Sequence, residues 1–279
     1  MISVKNFGFV YKDSKVAALD DINIEIADGD FVGITGASGA GKTTFTFALN
    51  GIIPQKIKGD FYGAVTIDGV DTAEHPAEEF ARKVGEVFQD IDSQMVASVV
   101  EDEILFGLEN FGVPHEEVGV RIDRVLRELG IEDLRDREIE GLSGGQKQKV
   151  AIASMLALEP EVIVLDEPTG ELDPESSREI FKILTALNKE KGITVIIVEQ
   201  KIMLLCEYVK HMMVLDKGKI AFYGTPRDMA ASIDTFKDLG INVPRVTELS
   251  ADLIREKIYD GEVTLTVDDA EKMVRRILK

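Results

Sequence analysis

An α/β fold, with a central sheet whose parallel strands are covered on both faces, is what this sequence of 279 residues predicts. Three stretches carry the prediction. Val162-Ile163-Val164-Leu165 and Ile193-Thr194-Val195-Ile196-Ile197-Val198 are apolar runs of strand length, without the alternation of a strand that keeps one face in water. Gly36-Ala37-Ser38-Gly39-Ala40-Gly41-Lys42-Thr43 lies between the apolar run Phe31-Val32-Gly33-Ile34 and Thr44-Phe45-Thr46-Phe47-Ala48-Leu49, where a buried strand should turn into a helix.

That strand-to-helix context makes residues 36–43 a phosphate loop. Glycines allow successive backbone N–H groups to converge on one anion, and the helix beginning near Lys42 points its positive end at the same place. Lys42 would bridge the β- and γ-phosphates of ATP or GTP, and the Thr43 hydroxyl would hold Mg²⁺. The plain alternative is a glycine-rich turn with a stray lysine. Eight residues in this pattern and context favour the nucleotide.

Ahead of the loop, residues 4–11 are strand-like, and Ile22-Asn23-Ile24-Glu25-Ile26 alternates before the Asp28-Gly29-Asp30 turn, so antiparallel strands lead into the nucleotide core. Tyr11 is either an ordinary edge-strand aromatic or a flat face for a base to stack on. Residues 62–67 and 84–88 are further strands, the first closed by Asp68-Gly69. The second is followed by Gln89-Asp90-Ile91-Asp92-Ser93-Gln94-Met95, a polar, loop-like segment whose glutamine gains interest only from following a core strand. Between residues 99 and 142 the pattern is helical, with Val125, Leu126 and Leu129 at helical spacing and Gly130 as a stop.

This inserted helical stretch ends in Leu142-Ser143-Gly144-Gly145-Gln146, ahead of an apparent helix over 147–153. Serine and glycines at a helix start form an anion site without a lysine, or simply a cap. The run 162–165 then ends in Asp166-Glu167. Asp166 is placed to ligate Mg²⁺ or a water on it, Glu167 to orient and deprotonate an attacking water, although paired acids at a strand end are often only solvated. Ligands bind at the carboxyl ends of such strands. Pro168–Pro174 makes a tight loop, Pro174 opens a helix to about Leu187, and the run 193–198 ends in Glu199-Gln200. Two shorter strands over 212–215 and 219–223 flank Lys217-Gly218. Residues from about 225 form a tail, with Thr266 as N-cap of an amphipathic helix containing Met273, Val274 and Ile277.

Composition narrows the classes of function. The balance of 51 acidic against 32 basic residues, a net charge of −19, opposes nonspecific binding to phosphate backbones, so nucleic acid is disfavoured as a partner. The single cysteine, Cys206, forms no internal disulfide, and residues 1–5 carry no signal-like pattern, which makes the cytoplasm the expected compartment. No apolar run approaches the roughly 20 residues needed to span a bilayer. Any membrane role must come through a partner subunit.

As a set, residues 36–43, Gln89, 142–146, Asp166-Glu167 and Leu172-Asp173, in that order, resemble the ATP-binding-cassette (ABC) ATPases over about residues 1–225. The phosphate loop alone names only a vast superfamily; the Leu-Ser-Gly-Gly-Gln signature ahead of the acidic strand is far narrower. Residues 87–94, 99–110 and 242–249 are similar more specifically to the ATPase subunits of energy-coupling factor (ECF) transporters, which import vitamins or transition-metal ions. The resemblance implies an α/β phosphate-loop NTPase of the ABC type: a mixed central sheet with an antiparallel β subdomain, an ATPase domain over 1–224 with the helical subdomain at about 98–142, and a C-terminal extension over 225–279. It also implies two subunits facing head to tail on the cytoplasmic face of the membrane, held there by membrane-embedded transport and substrate-binding subunits.

Each ATP would then lie between one subunit's Gly36, Ala37, Ser38, Gly39, Ala40, Gly41, Lys42, Thr43 and Thr44 and its neighbour's Ser143, Gly144, Gly145 and Gln146. By the same resemblance Tyr11 stacks on adenine, Gln89 senses Mg²⁺ alongside Thr43 and Asp166, and Asp173 contacts the second subunit. Glu167, Gln200 and Lys42 form the catalytic set. Swinging the pair from mostly open to mostly closed requires about 5.5 kcal/mol of differential binding. The motion would pass to the membrane subunits through a groove near residues 89–96, with Met95 and Val96 receiving a helix.

One position departs from the family pattern: Gln200 stands where a histidine normally touches the γ-phosphate. An amide donates a hydrogen bond but carries no titratable proton, so slow turnover is expected. His75, His115 and His211 lie outside the motifs. Two other readings compete, a non-transport cassette ATPase acting on DNA or ribosomes, and a largely noncatalytic half of a heterodimer. Charge and the single cassette weigh against the first; the intact Glu167 weighs against the second and Gln200 for it.

Overall fold

A computed structural model describes residues 1–278 of the protein. Among the described residues ten strands form two sheets: β1 (Ile2–Tyr11), β2 (Leu19–Ile26), β3 (Phe31–Thr35), β4 (Gly59–Ile67), β5 (Val70–Asp71), β6 (Val84–Val87), β7 (Val162–Asp166), β8 (Thr194–Val198), β9 (His211–Asp216) and β10 (Lys219–Gly224). The first sheet is antiparallel, in the order β2-β1-β4-β5. The second runs β10-β9-β3-β8-β7-β6, parallel except for the edge hairpin of β9 and β10. This is the mixed sheet and antiparallel subdomain that the resemblance implies.

All residues of β3, β7 and β8 are buried. Their side chains alternate between two separate apolar clusters. Val32, Ile34, Val164, Ile196 and Val198 join the antiparallel sheet and the helix Lys42–Leu49 on one face. Phe31, Ile163, Leu165, Val195 and Ile197 join Val150, Ile152, Phe181 and Leu184 of two other helices on the opposite face. Two-sided burial is why these strands lack polar alternation. Because β3, β8, β7 and β6 are parallel and in register, with Asp166 beside Val198 and Val198 beside Ile34, their carboxyl ends open on one side of the sheet. The motifs after each of them therefore meet there.

The inserted subdomain consists of the helices Val100–Asn110 and His115–Leu129 packed on Gly144–Leu156. Gly130 ends the second in the left-handed conformation (φ 62°), with its N–H bonded to the Arg127 and Leu126 carbonyls. A bridge between Val99 and Glu138 closes the base of the insertion.

Several boundaries differ from the sequence reading. The segment after Gln89 is a helical turn, Ile91–Gln94, because the Asp90 carboxylate accepts from the Ser93 N–H as an N-cap. The signature helix starts at Gly144, before 147, and Pro174–Lys191 runs one turn past Leu187 to Gly192. The helix Ile202–Tyr208 went unread: it has no side-chain cap, and Ile202, Leu204, Leu205 and Cys206 leave it buried on nearly every side.

The extension holds the helices Pro226–Ala230, Ile233–Asp238, Arg245–Arg255 and Val267–Ile277. Thr266 caps the last, accepting from the Asp269 N–H at 3.1 Å. That helix buries Ala270 and Met273 and leaves Val274 exposed. Among the described residues no helix is long and apolar enough to cross a membrane.

Candidate active site

Residues 36–41 leave the end of β3 and enter the helix Lys42–Leu49 through two positions that only glycine fits. A Cβ on Gly36 (φ 150°) would lie 2.2 Å from the Leu215 carbonyl oxygen, and one on Gly41 (φ 103°) 2.4 Å from that of Ala18. Lys42 is 8% exposed and folds back over the loop, its Nζ donating to the carbonyls of Gly36 (3.0 Å) and Ala37 (3.1 Å). The ammonium thus stands inside the loop where an anion would be cradled.

Thr43 follows, and its Oγ1 donates to Asp166 Oδ2 at 2.6 Å. Asp166 is buried at the end of β7, and burial pushes its carboxyl above the usual range, against the pull of the Thr43 hydrogen bond. A buried carboxylate and a hydroxyl in contact, with space for phosphate oxygens beside them, suit Mg²⁺, which takes few protein ligands and completes its shell from phosphates and water. Among the described residues no three His, Cys, Asp or Glu side chains gather around a common point.

Glu167 has a left-handed backbone (φ 49°), uncommon for a residue with a side chain. Its N–H donates to the Val198 carbonyl at 3.0 Å, tying the β7 end to β8. Its carboxylate receives Gln200 Nε2 at 2.8 Å and, at a longer 3.4 Å, Gln89 Nε2. A cavity of about 380 Å³ is lined by Tyr11, Ser38, Gly39, Gly41, Lys42, Thr43, Thr44, Gln89, Glu167 and Gln200. Tyr11 meets Thr44 Oγ1 through its hydroxyl at 2.9 Å and the Phe9 ring edge-on at 5.0 Å. Residues expected from five separate stretches of sequence therefore share one pocket.

The signature does not share it. Ser143 accepts from the Gln146 N–H at 3.4 Å, and Gln146 Oε1 accepts from the Ser143 N–H at 2.9 Å, a reciprocal cap at the start of Gly144–Leu156. Gly144 and Gly145 pack closely on Leu172 and Ser176, beside the helix that Asp173 caps through the Glu175 and Ser176 N–H groups. Gly144 faces a different cavity, of about 370 Å³, which touches Gln89 and Glu167 from the other side.

Sequence reasoning missed three groups beside the site. Glu199, 1% exposed, accepts from the Thr169 hydroxyl and from the N–H groups of Gln200 (2.7 Å) and Lys201 (3.0 Å). It ends an all-apolar strand as Asp166 does, and that signal could have found it. Lys201 spans the loop 169–177. Glu86 on β6 faces a third cavity of about 410 Å³, with apolar walls from Phe88, Val96, Phe106, Met155 and Leu158. Burial, with the Asp166 charge adding to it, raises its carboxyl to about 8. Asn50 donates to one of its oxygens, and the other is buried without a partner. Of the segment 89–96, where a groove is expected, Gln94 and Val96 line this cavity. Val96 opens into it, whereas Met95 packs on the core instead.

The ABC transporter family profile matches residues 19–170. An energy-coupling factor transporter ATP-binding protein, EcfA1 of Clostridioides difficile, is 38% identical over 273 residues, covering 96% of this chain and 96% of that protein. The solved structure of cbiO1 from Clostridium perfringens, part of the ABC transporter complex cbiONQ, superposes with a TM-score of 0.76 at 34% identity, over 89% of this chain and 97% of that one. A dimeric ATP-binding cassette solved in a post-hydrolysis state with ADP and phosphate gives a TM-score of 0.69 at 30% identity, over 81% of this chain and 99% of that one. The chain belongs to the ABC transporter family, as an ATP-binding subunit whose ATP hydrolysis is coupled to transport.

Proposed function

We propose that the protein is the ATPase subunit of an ECF-type importer, hydrolysing ATP at a head-to-tail interface between two such subunits to drive uptake of a vitamin or a transition-metal ion through membrane partners. The observation that carries this reading is the separation of the two halves of the site: Lys42 and Thr43 line one cavity, while the Ser143–Gln146 cap stands outside it. A γ-phosphate held by Lys42 leaves a face for a second subunit's signature, whose first N–H groups lack partners within their own helix.

In this reading the phosphates lie over residues 36–44 and adenine rests on Tyr11. Thr43 and Asp166 would hold Mg²⁺, with Gln89 nearby, and the ion would supply positive charge beside the phosphate oxygens. Glu167 accepts a proton from the water that attacks the γ-phosphate. Gln89 and Gln200 donate to the Glu167 carboxylate, orienting it as a base. The groove below Glu86 takes an apolar helix of the membrane subunit against its walls of Phe88, Val96, Phe106, Met155 and Leu158.

Replacing Glu167 with Gln removes the base and should leave ATP bound but uncleaved. The expected result is an ATP-dependent shift of the full chain, or of it with its natural ATPase partner, from monomer to dimer by light scattering. A variant that remains monomeric at saturating ATP under both conditions would overturn the head-to-tail site. Recovery of the wild-type protein from detergent-solubilised membranes with integral membrane proteins is the matching expectation for the importer.

A further inference from the structure

The loop between β7 and the helix Pro174–Lys191 carries Asp173, and the segment after β8 carries Gln200; nothing in the backbone ladders joins the two beyond the strand ends. The side chains of Glu199 and Lys201 join them. Glu199 reaches from the β8 end to the Thr169 hydroxyl while holding the N–H groups of Gln200 and Lys201. Lys201 reaches the opposite way: its Nζ donates to the Thr169 carbonyl at 2.6 Å, the Leu172 carbonyl at 2.9 Å and Ser177 Oγ at 2.8 Å. All three donors of the ammonium are used. Thr169 and Ser177 are fully buried, and Ser177 Oγ also donates to the Asp173 carbonyl at 2.8 Å.

We propose that Lys201 is a positioning residue that binds the Thr169–Asp173 loop and Gln200 into one moving body, so that displacement of that loop by a second subunit carries Gln200, already in contact with Glu167, onto the γ-phosphate. This rests on the function given above and extends it. Gln200 itself is exposed, but its backbone is fixed on both sides, through Glu199 and through Lys201. Two carbonyls and a hydroxyl that accept from one ammonium lose all three bonds together when it is removed. A neutral side chain leaves the Glu199 carboxylate as the link between Thr169 and the Gln200 N–H, and lets the Leu172 side of the loop move without Gln200.

The test is ATP hydrolysis by the full chain carrying Lys201→Met. A charge-assisted hydrogen-bond set of this kind predicts a fall in kcat of roughly tenfold or more, with the KM for ATP within about twofold. Lys201→Cys should be equally slow, should recover when alkylated with 2-bromoethylamine, which rebuilds a side chain ending in an ammonium, and should stay slow with neutral 1-bromopropane. Cys206 is buried with its thiol pushed up to about 12, so it competes poorly for either reagent. Hydrogen exchange gives a readout independent of turnover: the 169–173 and 200–201 amides should exchange faster together in Lys201→Met and slow together after aminoethylation. Unchanged kcat, equal recovery with both reagents, or exchange that changes in one segment alone would overturn the proposal. A wild-type chain that binds no ATP would count against the functional reading instead, leaving the exchange experiment to decide this one.

Discussion

Gln200 donates to Glu167 at 2.8 Å, which makes it an orienting group and gives it no proton of its own to move. Gln200→His should therefore raise the turnover of the complex assembled with its natural partners, and equal rates in parallel ATPase assays would show that the amide serves as well. The Glu86 carboxyl makes a second residue-level prediction. It keeps its proton in the folded protein up to about pH 8, against 4.5 when free, so folding is unpenalised below pH 4.5 and loses stability as pH rises toward 8. Glu86→Gln should remove that slope, gaining on the order of 2–4 kcal/mol above pH 8 and little below pH 4.5, as read from urea midpoints at the two extremes. Glu167 and Asp166 were legible because they end an apolar run in a chain that carries a phosphate loop far upstream. Glu86 was not, since a single acid in Val84-Gly85-Glu86-Val87 gives no sign of the neighbours that a fold brings to it.

At the scale of elements, the two helix starts that the proposed function turns toward a second subunit are capped by the same residues it assigns to that contact. Ser143 and Gln146 cap Gly144–Leu156, and Asp173 caps Pro174–Lys191 with three hydrogen bonds. Ser143→Ala should cost about 1 kcal/mol of stability, the ordinary loss of an N-cap, while weakening ATP-dependent pairing of a Glu167→Gln background far more than that. Matched melting and light-scattering series separate the two effects; parallel losses would make Ser143 a cap alone. The strands were legible from two-sided burial, the phosphate loop and Pro174 from turn and cap chemistry. The one-turn helix Ile91–Gln94 and the buried helix Ile202–Tyr208 were not, because four residues cannot show a period and a helix apolar on most sides has no polar face to mark it.

For the whole molecule, the division between the ATPase domain and the C-terminal extension is drawn in sequence at residue 224, but packing crosses it. Met229, Phe236, Ile241 and Val243 join the larger apolar cluster of the nucleotide core. Beyond them a small polar joint of Thr247, Ser250 and Thr264 ties the last helices together through bonds of 2.8 to 2.9 Å. A chain ending at residue 224 should thus lose several kcal/mol, the scale of uncovering a few large side chains, whereas one ending at 243 should keep most of its stability in thermal melts. A net charge of −19 on each subunit sets two empty copies against one another, so added salt should promote their pairing until specific phosphate contacts take over. The left-handed backbone of Glu167 has a further result. A side chain there holds a conformation that glycine adopts freely, at a cost of order 1 kcal/mol. Loss of the carboxylate by mutation to glycine would therefore remove the base and relieve the backbone at once, leaving an inert protein that melts no lower than its parent.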